Sequence, residues 1–185
     1  MSASRIRPLD DEAIDLATAH YARPREDERK ITDSVLVFRL GSEWLALPTA
    51  LFDRVADVQA VHTLPHRRAG MAAGLVTVGG DLVVHLSLAA LLGVGTEGAT
   101  PAGTSPRHEG VRRLIVLTDQ RGRLAITADE VWGVCHYHAA QLRPPPSTLA
   151  RALVSYTTSM LDVEGRMVGV LDGPRVLDAL SRALS

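Results

Sequence analysis

The chain is poor in the residues from which most active sites are built. It has one cysteine, Cys135, and one lysine, Lys30, among 185 residues. A lone cysteine has no partner for an intramolecular disulfide, and it excludes a multi-cysteine metal site. Two Trp, three Tyr and two Phe are too few for a run of base- or sugar-stacking platforms. Neither sign of charge dominates: twenty Lys and Arg face twenty-one Asp and Glu. That balance argues against nucleic acid, whose phosphates are held by an excess of cations. No apolar run approaches the roughly 20 residues of a membrane-spanning helix, and the start lacks the apolar core of a secretory signal. The expected address is cytoplasmic, with no direct membrane contact.

What is present is core-forming material. Of the residues, 46% are hydrophobic and 22% are charged. This length suits one domain or two small ones sharing a surface, burying roughly 70% of what the unfolded chain exposes. Residues 1–33 read as an N-terminal extension, helical or mobile. Asp10 or Asp11 can cap a short helix reaching Tyr21, and a charge-dense connector follows at residues 25–30.

From Ser34 the pattern turns to strands. Residues 35–38 and 44–47 flank Gly41-Ser42 as a hairpin. One helical turn from Thr49 leads to a strand at 55–61, which Leu64-Pro65 breaks. A second hairpin pairs 74–78 with 82–86 across Gly79-Gly80-Asp81, and a short helix at 88–92 follows. Residues 95–110 are rich in Gly, Thr, Ser and Pro and read as a surface loop. The pattern then restarts, with a hairpin of 114–117 and 124–126 and a strand at 131–137. Pro144-Pro145-Pro146 is an extended connection. Ser147 is expected to cap a helix reaching Leu153, and Pro174 to open a last helix over 175–184. Between them lies a final hairpin around Glu164-Gly165.

The two halves repeat. Leu45-Ala46-Leu47 answers Leu124-Ala125-Ile126, and Val55 and Val58 answer Val131 and Val134. The segment from Val78 to Val83 answers that from Val163 to Val168. Two sets of about five short strands imply a mainly β fold of two small barrels side by side. The first would span about 34–94 and the second about 111–185, with exchange of strands between them left open.

Candidate chemistry is sparse. His136 and His138 are two apart on an expected strand, so both rings would face one way, a spacing that a divalent metal can use. No third ligand is placed by the sequence. Cys135 and His136 are adjacent and so point to opposite faces, which prevents the imidazole from activating the thiol. Gly79-Gly80 joins strand to strand, not strand to helix, and is therefore no phosphate loop. No catalytic, cofactor-binding or metal-ligating residue is assigned. The alternative to a binding protein is a small metal- or thiol-dependent enzyme using Cys135, His136 and His138.

Several stretches resemble the CheW-like adaptors of bacterial chemosensory arrays. They are Leu36 to Gly41, Trp44 to Leu47, Leu64-Pro65, Gly74-Leu75-Val76 with Gly80, and Leu86-Ser87-Leu88 with Leu92-Gly93. In the second half they are Leu124 to Val134 around Asp129, Leu142 to Pro146, and Tyr156 to Asp172. The likeness runs over about 34–183. The stretches Glu43 to Pro48 and Leu64 to Arg68 resemble most the second CheW-type adaptor of Wsp-like surface-sensing systems. The resemblance implies two five-stranded SH3-like barrels. It also implies a non-enzymatic function: coupling the regulatory domain of a CheA-type histidine kinase to the cytoplasmic hairpin tip of chemoreceptors. No cofactor is implied.

By the same resemblance the receptor-facing positions are Phe52, Arg54, Gly74, Val78 and Gly79. The family commonly carries an acidic residue where Arg54 stands and an arginine where Gly79 stands. Ser87 also replaces a common aspartate that Asp172 retains in the second half. These departures point to a specialised set of partners.

Overall fold

Strands that are apolar at every position need cover on both faces. Two of the expected strands are of this kind: Val35 to Phe38, and Leu114 to Leu117, are buried without a break. The computed structural model describes residues 33–62, 72–95, 112–119 and 122–182, all within the unit Thr32–Ser185. The expected N-terminal helix and charged connector, the His66-Arg67-Arg68 cluster and almost all of the loop 95–110 lie outside the described residues.

The fold is mainly β, with ten strands in two five-stranded sheets and a few short helices among the described residues. In chain order the strands are β1 (Asp33–Leu40), β2 (Glu43–Pro48), β3 (Phe52–Asp57), β4 (Ala72–Val78) and β5 (Asp81–Leu86). After helix α1 (Leu88–Leu92) come β6 (Arg113–Asp119), β7 (Gly122–Ala128) and β8 (Glu130–Tyr137). Helix α2 (Arg151–Val154), β9 (Thr157–Val163), β10 (Arg166–Leu171) and α3 (Gly173–Arg182) complete the chain.

The sheets do not follow the halves of the sequence. One has the order β8-β1-β2-β10-β9 and the other β3-β6-β7-β5-β4. Each is built on the first hairpin of one repeat, flanked by the third strand and the last hairpin of the other. Two short parallel contacts join the repeats, and they are in equivalent register. Leu45 and Ala46 lie opposite Gly169 and Val170, while Leu124 and Ala125 lie opposite Val84 and His85. The strand exchange left open by the sequence is therefore complete.

The repeat also extends to the third strands, with one change of register. Phe52 pairs with Leu117 and Arg54 with Val116, leaving Asp53 as a bulge. Val131 pairs with Phe38 and Gly133 with Val37, leaving Trp132 as a bulge. Val55 therefore answers Val134, not Val131. Single backbone bridges then link the far edges of each sheet, His62 to Leu75 in one and Arg143 to Met160 in the other.

Packing follows the same symmetry. Leu36 and Phe38 from β1, and Ile115 and Leu117 from β6, turn into one large core that α1 and α3 also enter through Leu88, Leu92, Val176, Leu177 and Leu180. The alternate residues Val35 and Val37 face a smaller core belonging to the first sheet alone. Leu114 and Val116 do the same in the second. The helices start at equivalent places. Ser87 Oγ accepts from the Ala90 N–H at 3.2 Å and caps α1. Asp172 Oδ1 accepts from the Arg175 N–H at 3.1 Å at the start of α3. Serine and aspartate are both good caps, so the change at Ser87 preserves its local task.

Two helical expectations shift. Ser147 caps nothing: α2 begins only at Arg151, after Ala150, which offers no side-chain cap. The last helix begins at Gly173, ahead of Pro174 and Arg175.

Candidate binding surface

The residues singled out in the sequence lie on β3, on β4 and in the turn after β4, at different depths, and of them Arg54 and Gly79 are brought together. Arg54 is on β3 with half its side chain exposed, and Gly79 is exposed in the β4–β5 turn. Phe52 is partly buried against the large core. Val78 is buried in the small core of its own sheet. Gly74 is buried, and a Cβ placed there would lie 2.3 Å from the His62 carbonyl oxygen. Its φ of +143° also favours glycine. Gly74 thus allows the chain to cross β4 at the His62 bridge. Only Arg54 and Gly79 are presented outward.

A two-residue turn between strands favours positive φ at both central residues. Gly79 and Gly80 supply it, at +60° and +92°. Arg54 lies over this turn, its Nη1 being 3.3 Å from where a Gly79 Cβ would stand. The same guanidinium donates from Nε to Asp53 Oδ2 at 3.2 Å. Arg123 on β7 completes the cluster, with Nη2 at 2.6 Å from Asp81 Oδ2 and Nη1 at 3.9 Å from Asp53 Oδ2. The hydrogen bond and charge of Arg123, with a smaller contribution from Arg54, hold the Asp81 carboxyl below its ordinary pKa. Asp53, Asp81 and Arg123 were not foreseen as part of this surface. Their isolated charges give no sign of one another until β3, β5 and β7 are brought together.

The equivalent corner of the first sheet has different chemistry. Trp132 fills the bulge where Asp53 stands in the other sheet. Trp44 on β2 answers Arg123 on β7, and Arg166 at the start of β10 answers Asp81 at the start of β5. The indole rings of Trp44 and Trp132 meet edge to face, 6.1 Å between centroids at 88°. The Arg166 guanidinium carbon lies 4.1 Å from the Trp132 centroid and 5.2 Å from that of Trp44. Contacts of this kind are worth about 0.5–1 kcal/mol at exposed sites.

The histidine pair expected on one strand face is not formed. His136 is an exposed residue of β8, whereas His138 lies beyond the strand end and caps the 3-10 turn Ala139–Gln141. Its Nδ1 accepts from the Ala140 N–H at 3.1 Å, while its own backbone N–H donates to Gln141 Oε1 at 2.7 Å. Among the described residues no group of three or more His, Cys, Asp or Glu is placed to hold a metal ion. Partial burial, with the charge of Glu164, pushes the Cys135 thiol up from its ordinary pKa, away from the reactive thiolate. No helix among the described residues is long and apolar enough to cross a membrane.

Two exchanged sheets with charged and aromatic corners define a scaffold that presents surfaces. A protein-family model, the CheW-like domain, matches residues 34–181. The chain belongs to the CheW-like family, whose members are scaffolding adaptors of chemotaxis signalling and not enzymes. Among solved structures the fold is similar to that of the scaffolding protein TtCheW from Thermoanaerobacter tengcongensis, with a TM-score of 0.57 and 16% identity. The likeness covers 76% of this chain and 88% of that one. Among curated proteins, none matches the chain significantly.

Proposed function

We propose that this chain is a cytoplasmic, non-enzymatic adaptor that couples the regulatory domain of a CheA-type histidine kinase to the cytoplasmic hairpin tip of methyl-accepting chemoreceptors, in a Wsp-like surface-sensing system. The observation that carries this function is the CheW-like match over 34–181, which takes in almost the whole two-sheet fold. The adaptor acts by differential binding: it shifts the kinase between states to the extent that it binds one of them better. Arg54 and Gly79 form the receptor-facing surface, and Phe52, Gly74 and Val78 shape it from beneath. With glycine at 79 and arginine at 54, the cation over the turn comes from β3 instead of the turn itself.

The test is a pulldown with the kinase regulatory domain and receptor hairpin encoded beside this chain. Binding to both is expected, and failure to bind either overturns the proposal. Arg54→Glu places a third carboxylate beside Asp53 and Asp81, and is expected to weaken receptor binding more than kinase binding. Equal effects on the two partners would remove Arg54 from the receptor surface.

A further inference from the structure

The charged corner of the second sheet is satisfied internally. Arg123 meets both Asp81 and Asp53, and Arg54 meets Asp53. Its counterpart is not. The Arg166 guanidinium stacks on two indoles, but it makes no hydrogen bond or ion pair with any described residue. The cation is therefore held in position by aromatic faces, while no described residue takes up its hydrogen-bonding capacity. Beside it on β8 Trp132 is 42% exposed and Val134 51%, while the exposed Glu164 stands in the turn before Arg166.

From this we infer that Trp44, Trp132 and Arg166 form a second docking site, for a carboxylate flanked by aliphatic side chains on a partner protein. A guanidinium plane matches a carboxylate in bidentate fashion, and its stacking on indole limits the side-chain entropy lost on pairing. The exposed face of Trp132 and Val134 on β8 supply contact for the aliphatic neighbours. Trp and Arg are also the residue types that carry most binding energy at interfaces. This site is independent of the receptor surface proposed for Arg54 and Gly79, being on the other sheet.

The chain itself provides the reporter. Trp44 and Trp132 are its only two tryptophans, so all indole fluorescence originates at this site. The full-length protein is titrated with N-acetyl-Leu-Glu-Leu-Glu-Leu-amide and with the same peptide carrying Gln in place of Glu. A saturable change in emission is expected with the acidic peptide, with affinity roughly tenfold lower for the Gln peptide, the size of one lost charge-assisted pair. Arg166→Gln should abolish that preference, while Arg166→Lys should retain part of it and Arg123→Gln all of it. Absence of saturation at millimolar peptide, equal affinity for both peptides, or an acidic preference that survives Arg166→Gln would overturn the proposal. So would emission that depends on protein concentration together with dimers in sedimentation, since the occupant would then be a second copy of this chain.

Discussion

Asp53, Asp81 and Arg123 occupy in one sheet the three positions that Trp132, Arg166 and Trp44 occupy in the other. The backbone is alike in both places, including a one-residue bulge in the third strand and a two-residue turn before the last. One set forms an ion-pair network and the other a cation–π stack. The charged set takes no part in the buried cores, whereas Trp44 of the aromatic set is partly buried against the small core of its own sheet. Exposed ion pairs add little to stability, and exposed cation–π contacts only slightly more. The fold is thus held mainly by the alternate, inward residues, which leaves Asp53, Asp81, Arg123, Trp132 and Arg166 open to selection for partners. A duplicated architecture gains two distinct surfaces in this way.

The largest expected difference between the sheets is at the bridges that join their far edges. Gly74 and Ser159 are equivalent, opposite His85 and Val170. A Cβ at Gly74 meets the His62 carbonyl at 2.3 Å, whereas Ser159 already carries a side chain. Gly74→Ala should lose about 2–4 kcal/mol in urea denaturation, and Ser159→Ala no more than about 1 kcal/mol. Similar losses would mean that the two crossings are equally tight.

Next comes a partly buried polar pair, His85 and Thr127, in the second sheet. His85 is buried with its Nε2 2.7 Å from Thr127 Oγ1, and its Nδ1 has no partner among the described residues. The equivalent residue of the other sheet is Val170. Burial, with a smaller contribution from the Arg112 charge, lowers the His85 pKa. The unfolded chain therefore takes up a proton first as the pH falls. His85 favours folding fully above its unfolded pKa of about 6.5, and that stability is lost as the pH falls through the lowered folded value. Denaturation at pH 8 and pH 5 should show the native chain weaker at the lower pH. His85→Val, which makes the two sheets alike, should reduce that difference. An unchanged difference would assign the acid sensitivity to other groups.

The smallest effect concerns the ion pairs. Arg123→Gln should return the Asp81 pKa toward its ordinary range, followed by carboxyl chemical shifts in an NMR titration, with the denaturation midpoint near neutral pH almost unmoved. The lowered Asp81 pKa favours folding above its unfolded value of about 3.9, an advantage that is lost as the pH falls through the folded one. A large fall in stability at neutral pH would contradict the view that this corner serves binding and not folding.

Much of the framework was legible in the sequence. The hairpins around Gly41-Ser42, Gly79-Gly80 and Glu164-Gly165 follow from turn residues between apolar runs, and the short helix expected at 88–92 stands as α1. The third strands misled by local resemblance. Val55 and Val58 have the same spacing as Val131 and Val134, so apolar identity permits two alignments, and only the ladders with bulges at Asp53 and Trp132 select one. Ser147 looked like a helix start because its side chain can cap, but no helix begins until Arg151. At the surface, Arg54 and Gly79 stood out through the resemblance, and the tryptophan stack was missed. Its three members come from β2, β8 and β10, and nothing local links them.

The sequence by itself determined that ten short strands fall into two repeats, with the third strand of the first repeat placed a few residues late, because alternation and turn chemistry act within a few residues. Only the tertiary structure decided that the repeats exchange strands. Lateral pairing depends on which distant edges meet, and a strand's own pattern is the same whichever neighbour covers it. That exchange placed Arg123 beside Asp53 and Asp81, and Arg166 beside Trp44 and Trp132.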